Sequence, residues 1–270
     1  MNILLSYACK PYTTAVYYER AFRGMGHDVC LAGGPFPSDA WMPELFVWIE
    51  AGGGVRPAHI PTTIPTVALY IDSHTQRTWH VEDARRYDHV FVADIRYVGE
   101  YGPHAHWLPM ACDPDLHTPT RTEPPDYDVA FVGNTYPGSP LYEDRRQTLA
   151  ALAKRYKCRF ESGVCFQDMA DVYASARVAF NKSVLGDLNM RVFEAACSGR
   201  AVVTDDVEPL DMMGAPGARF HSDYEMHDII TELVTYPHLA VEYGAVWRQW
   251  VLAHHTYAHR AAEMLAEVGL

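Results

Sequence analysis

"GDLNMRVFEAACSGRAVVTDD", residues 186–206, is the stretch whose reading decides the fold. Val192, Phe193 and Ala196 fall at helical spacing, and "RAVVTDD" then reads as a strand. Asp187 or Asn189 can cap the helix start, because either side-chain oxygen accepts from a free N–H. Gly199 suits the left-handed position that ends a helix. Two ionisable residues stand inside that helix, Arg191 and Glu194. Read in isolation, Glu194 lies on a solvent face, and Arg191 pairs with it three residues away. The alternative is that this helix holds a ligand.

The same alternation extends in both directions. "NILLSY" (2–7), "HDVCLAGG" (27–34), "ELFVWIEAG" (44–52), "TVALYID" (66–72) and "YDHVFVAD" (87–94) read as short apolar strands. "TTAVYYERAFRGMGHD" and "QRTWHVEDARR" read as helices between them. After "HWLPMACDPDLHTPTRTEPPD", a proline-rich connector without periodicity, the pattern restarts at "YDVAFVGN". It then runs through "RRQTLAALAKRY", "CRFESG", "FQDMADVYASA" and "RVAFNKS" to the opening stretch. Such alternation predicts two doubly wound α/β halves with parallel sheets, 1–112 and 113–245, facing a central cleft. A helical segment, 246–270, is expected to pack across them. Ligands of open α/β sheets bind at the carboxyl ends of the strands.

Composition narrows the function classes. The 270 residues carry a net charge of −12, which opposes a general nucleic-acid-binding surface. No apolar run reaches the ~18 residues of a membrane span, and the N-terminus lacks a signal-peptide pattern. Six scattered cysteines without a C-x-x-C pair predict neither a disulfide framework nor a zinc knuckle, and a reducing cytoplasm is the expected setting. Among 14 histidines none has metal-ligand spacing, so no metal site is expected. The D-x-D of residues 113–115 lies in the connector, and "TDD" (204–206) reads as a strand end.

Asp187, Asn189, Arg191, Phe193, Glu194 and Gly199 follow a D-x-N-x-R-x-F-E-x-x-x-x-G register. With "WLPMACDPDLH", "DVAFVGN", "VAFNKS" and "HTYAHRAAEML" in the same order, the chain resembles the CgeB-like (spore-protein type) glycosyltransferases. More broadly it resembles the retaining, family 4-like branch of the GT-B fold. The resemblance implies a transferase that moves a sugar from a nucleotide-sugar donor, a UDP-, GDP- or dTDP-sugar, to an acceptor hydroxyl. It implies retention of configuration, no metal and no further cofactor. The second half would bind the donor and the first the acceptor. Glu194 would accept the ribose hydroxyls, and the backbone from Leu188 to Met190 would meet the diphosphate at a helix N-terminus. Arg191 either contacts phosphate or pairs with Glu194. Where many retaining relatives carry two acids in E-x7-E, the first position here is Gly186.

Other candidates come from strand ends. Gly133 lets a phosphate or sugar approach the backbone, and Asn134 follows it in the loop "FVGNTYPGSPLYEDRR". Arg145 and Arg146 open a helix against its dipole, so they either answer an anion or are simply solvated. Lys182, with Asn181 and Ser183, ends a strand and is a phosphate candidate. In the first half, Asp72 is either a general base or a helix cap. His74 follows it, and in retaining relatives a first-domain histidine contacts the transferring sugar. Gly33, Gly34, the run Gly52 to Gly54 and "YACKPY" lie at strand ends without dictating chemistry. Two alternatives stand beside the transferase: a non-catalytic nucleotide-binding scaffold, and a phage-type enzyme that glycosylates a hydroxylated DNA base.

Overall fold

The computed structural model describes residues 1–8, 13–34, 38, 40–51, 55–217 and 219–270. Cys9 to Tyr12 of "YACKPY" and Gly52 to Gly54 lie outside the described residues. The chain forms two compact units, Met1–Met110 with Tyr257–Leu270, and Ala111–Thr256.

The first unit begins β1 (Asn2–Ser6), α1 (Thr14–Gly24), β2 (Asp28–Leu31), β3 (Leu45–Ile49), β4 (Thr66–Tyr70), α2 (Ser73–Ala84), β5 (His89–Val92) and β6 (Ala105–Trp107). The six strands are all parallel, in the order β2-β1-β3-β4-β5-β6. β3 and β4, "LFVWI" and "TVALY", are buried at every residue, as central strands covered on both faces must be. Trp48 stacks on Tyr87 with ring centroids 5.8 Å apart and meets Tyr70 edge-on at 5.3 Å. This aromatic layer fills one side of the sheet.

The second unit runs α3 (Pro114–His117), β7 (Tyr127–Val132), α4 (Glu143–Arg155), β8 (Cys158–Glu161), α5 (Phe166–Ala174), β9 (Ala176–Asn181), α6 (Arg191–Cys197), β10 (Ala201–Asp205), α7 (Glu208–Met212), β11 (Arg219–Phe220), α8 (Asp223–Thr235) and α9 (Pro237–His254). Its five strands are also all parallel, in the order β11-β10-β9-β7-β8. The α/β character and the two parallel sheets follow the sequence pattern. No described helix is long and apolar enough to cross a membrane.

Three local expectations change. The aperiodic connector contains the end of β6 and the short helix α3. The helix of the opening stretch starts at Arg191 rather than beside Asp187, because residues 187–190 form a turn in which Asn189 N–H donates to Asp187 O. The segment 246–270 is not one helix: α9 ends at His254, and α10 (Tyr257–Val268) follows. The break is held by Cys112 N–H donating to His255 O at 3.0 Å, beside a bridge between Cys112 and Thr256. α10 belongs to the first unit, where it packs on α1.

Candidate functional site

In the second unit the carboxyl ends of β7, β9 and β10 gather most of the residues singled out above. Asn181 and Thr204 are direct partners in the β9–β10 register. That register brings Asn181 Nδ2 to donate to Thr204 Oγ1 at 2.9 Å. Asn181 Oδ1, so oriented, accepts from Arg191 Nε at 3.3 Å. The Arg191 guanidinium lies over the Phe131 ring, 5.7 Å from its centroid. Gly133 leaves the room it needs: a Cβ there would stand 2.8 Å from Arg191 Nη1 and 2.9 Å from Phe131 Cζ. Among the described residues no carboxylate pairs with Arg191, so the pairing with Glu194 read from helix spacing does not form.

Arg145 is buried and spends its fork on backbone. Its Nε and Nη2 donate to Lys182 O at 3.0 and 2.7 Å, and its Nη1 to Asn134 O at 3.0 Å. Burial, and then the charge of Arg191, pull its pKa down to about 9, so it stays charged at neutral pH. Arg146 donates to the carbonyls of Thr135, Tyr136 and Ser139 and pairs with Glu143. Neither arginine is simply solvated: both staple the loop after β7. Asn134 Nδ2 donates to Tyr136 Oη at 3.0 Å in the same loop. Lys182 Nζ reaches Asp144 Oδ2 at 3.1 Å, and that carboxylate is largely exposed. Ser183 donates to Asp205 through both its N–H and its Oγ, which fixes the turn after β9.

The turn before α6 departs from the expected helix-end geometry. Arg191 N–H donates to Asn189 Oδ1 at 3.1 Å, so Asn189 is the residue that caps α6. Val192 N–H reaches Asn189 O, and the amides of Phe193 and Glu194 reach Met190 O. The first helical amides are thus used within the chain. Among the described residues nothing accepts from the amides of Leu188 and Met190. Asp187 O accepts from Asn189, which holds the turn. Gly186 sits at φ +72°, a conformation that disfavours any side chain there, including an acid.

Glu194 is neither on a solvent face nor beside Arg191. It is 4% exposed, and its Oε1 lies 3.7 Å from Nε2 of His117, itself fully buried. Beside Gly133 a cavity of about 300 Å³ opens between α4 and the ends of β7 and β8, with Phe131, Phe160 and Ala150 among its apolar walls and Thr135, Glu161 and Ser162 polar.

In the first unit, Asp72 occupies the N-cap position of α2, yet its side chain makes no capping bond. Burial raises its pKa, and the charge of His74 works against that rise. Buried Glu50 lies beneath and accepts from the amides of Ile71 and Asp72 at 3.2 and 3.1 Å. Ser73 Oγ and Tyr101 Oη are 2.7 Å apart, and Tyr101 Oη is 3.1 Å from His80 Nδ1. Burial lowers the His80 pKa to about 4, so this ring is neutral near pH 7.

A family model described as glycosyl transferase-like matches residues 115–266. The chain belongs to this family. No curated protein matches it in sequence. Among solved structures, it is similar to an alpha-glucosyltransferase in complex with UDP and a 13-mer DNA containing a HMU base, at 12% identity over 100% of each chain and a TM-score of 0.66. It is also similar to sucrose-phosphate synthase from Thermosynechococcus elongatus, at 11% identity over 100% of this chain and 98% of that one and a TM-score of 0.65. TarM from S. aureus covers 83% of this chain with 55% of its own, at 13% identity and a TM-score of 0.60. These likenesses establish the fold as GT-B, and the family makes the chain a glycosyltransferase-class enzyme.

Within the glycosyl transferase-like region, three of the residues that shape the site went unselected in the sequence. His117 sits in the connector, where Asp113, Pro114 and the four-residue spacing to His117 were the available signal for a capped turn. Thr204 and Asp205 read only as a strand end, because side-chain contacts across β9 and β10 depend on strand order. Glu50 of the first unit was hidden in the same way.

Proposed function

We propose that this glycosyl transferase-like chain moves a sugar from a UDP-, GDP- or dTDP-sugar to an acceptor hydroxyl, with retention, without a metal and without a further cofactor, in the CgeB-like, family 4-like manner. The observation that carries the donor side is Arg191: a guanidinium at the strands' carboxyl ends, oriented by Asn181, made room for by Gly133, and without a carboxylate partner among the described residues. An anion with several oxygens answers such a group. The amides of Leu188 and Met190 add donors for the diphosphate. The 300 Å³ cavity beside Gly133 offers apolar walls to the base, and Glu194 offers a carboxylate to the ribose. Arg145, Arg146, Asn134 and Lys182 support the loops around the donor.

In the transfer, the bond from the anomeric carbon to the leaving diphosphate breaks, and a bond from that carbon to the acceptor oxygen forms. The acceptor proton passes to the leaving phosphate oxygen. Arg191 stabilises the negative charge that develops on the diphosphate. On the first unit, His74 contacts the sugar, and Asp72 faces the acceptor. Were the product inverted, Asp72 would instead be the general base, and its burial-raised pKa suits that task. The anomeric configuration of the product, read by NMR, separates the two. A cytoplasmic setting fits a chain whose described cysteines are free thiols.

The test is Glu194→Gln. Loss of one charged hydrogen-bond acceptor is worth about 1.5–3 kcal/mol, so nucleoside diphosphate affinity falls about tenfold to a hundredfold by calorimetry. Because Glu194 is buried, a thermal melt accompanies the titration. Unchanged affinity in a folded variant removes the ribose role. Binding without turnover across a panel of nucleotide sugars and acceptors would favour a scaffold. The neighbour bound to DNA motivates a gel shift with duplex DNA at low salt, whereas the net charge of −12 opposes that acceptor.

A further inference from the structure

A guanidinium can only donate, so the atom of Asn181 that meets Arg191 Nε at 3.3 Å is the amide oxygen. That sends the amide nitrogen the other way, where Nδ2 donates to Thr204 Oγ1 at 2.9 Å. The hydroxyl therefore accepts, and its own hydrogen goes elsewhere. Asp205 takes it, with the carbonyl O at 3.3 Å and Oδ1 at 3.4 Å. The Asp205 carboxylate is fixed in turn by the N–H of Ser183 at 2.8 Å and by its Oγ. The hydrogen bonds thus run in one direction, from Arg191 through Asn181 and Thr204 to Asp205. Asn181 is 1% exposed and Thr204 is fully buried, so bulk water does not compete for either. Among the described residues neither Nη of Arg191 has a hydrogen-bond partner.

We infer that Thr204 is a positioning residue for the donor diphosphate: by accepting from Asn181 Nδ2 it fixes the amide with its oxygen toward Arg191, and so holds the guanidinium with both Nη groups left to phosphate oxygens. The inference rests on the proposed role of Arg191. An asparagine amide can turn over, and its two ends have opposite hydrogen-bonding character. Turned over, Asn181 would present N–H groups to a side chain that is itself all donors, and Arg191 would lose its anchor. The long arginine stem would then be free before each binding event, and the ligand would meet the cost of ordering it. The parallel register that makes Asn181 and Thr204 direct partners lets β10 set the orientation of a side chain on β9.

The experiment titrates two ligands into three proteins by calorimetry. The ligands are the tightest-binding of UDP, GDP and dTDP, and the same nucleoside without phosphate. The wild type prefers the diphosphate by more than about tenfold. Thr204→Val keeps the shape, removes the acceptor and loses most of that preference. Thr204→Ser keeps the hydroxyl and restores it. Nucleoside affinity is the same in all three, which a general loss of packing would not give. Equal weakening of both ligands in Thr204→Val, or an undiminished preference in that variant, overturns the positioning role and leaves Arg191 in its place. No preference for the diphosphate in the wild type overturns the phosphate role of Arg191, and the inference with it. Should Thr204→Val not fold, an atomic-resolution crystal structure of the wild type tells amide nitrogen from oxygen. The oxygen of Asn181 toward Arg191 supports the inference, and the nitrogen there overturns it.

Discussion

Arg145 and Arg191 hold their guanidiniums against the same ring, each 5.7 Å from the centroid of Phe131. Two like charges share one aromatic neighbour, yet their hydrogen bonds divide them. Arg145 grips three carbonyl contacts of the unit's own loops, and Arg191 has a single bond to Asn181. Arg145→Ala therefore lowers unfolding stability by about 1.5–3 kcal/mol, since charged bonds from a buried guanidinium to the carbonyls of Lys182 and Asn134 are lost. Arg191→Ala changes stability by less than about 1 kcal/mol and weakens nucleoside diphosphate binding about tenfold to a hundredfold. Urea denaturation and calorimetry on both variants check the division, and exchanged outcomes would reverse it.

Gly133→Ala tests the space that Arg191 occupies. The backbone at Gly133 is not left-handed, so alanine meets no backbone strain there. The added methyl instead presses on Arg191 Nη1 and Phe131 Cζ. The flexible arginine moves first, so the expected result is weaker nucleotide binding at a stability cost of about 1–2 kcal/mol. Full binding in this variant would show that Arg191 is not held at that place for a ligand.

The buried ring of His80 gives the fold an acid limb. Its folded pKa of about 4 lies below the ordinary value of 6.5. The unfolded chain therefore takes up a proton first as pH falls. The contribution is fully present above pH 6.5, declines between 6.5 and about 4, and is level below that. The span corresponds to a loss on the order of 3 kcal/mol. His80→Gln removes this limb, so urea midpoints measured from pH 7 to pH 4 fall more steeply in the wild type. Parallel curves would refute it.

One substitution type should act with opposite signs at two helical glycines. A Cβ on Gly244, in α9, would run into the carbonyl of Gly199, which is backbone and cannot turn aside. Gly244→Ala is expected to cost about 1–3 kcal/mol. Gly24, in the last turn of α1, has nothing within 4 Å of the same position. Gly24→Ala is expected to stabilise by about 0.4–1 kcal/mol. Thermal unfolding of the two variants provides the contrast.

What could be read in the sequence follows the range of the forces involved. β3 and β4 were legible because a strand buried on both faces needs an unbroken apolar run. α4 and α5 were legible because one helical face must be apolar. β11, with two residues, and α3, with four, are too short to show any period, and tertiary partners hold them. α8 escaped notice although its apolar face is formed by Met226, Ile230 and Leu233. For the site, residue types at strand ends pointed to Arg191 and Asn181. They did not distinguish Arg191, given room by Gly133 and bonded to Asn181, from Arg145, turned onto carbonyls. Read in isolation, Glu194 fell on a solvent face, because helix spacing says nothing of His117, which arrives from 77 residues earlier.

Tyr257 opens α10 and stacks on Tyr17 of α1 at 4.7 Å, while Tyr18 meets it edge-on at 5.3 Å. Arg260 Nε donates to Pro109 O at 2.9 Å, and Ala261 and Met264 are fully buried. On a ribosome, the whole of Ala111–Thr256 emerges before these residues do. Synthesis order and folding order therefore part company: the second unit can close while the aromatic side of α1 is still wet. For the time taken to translate about 150 residues, that side of α1 waits without the helix that covers it.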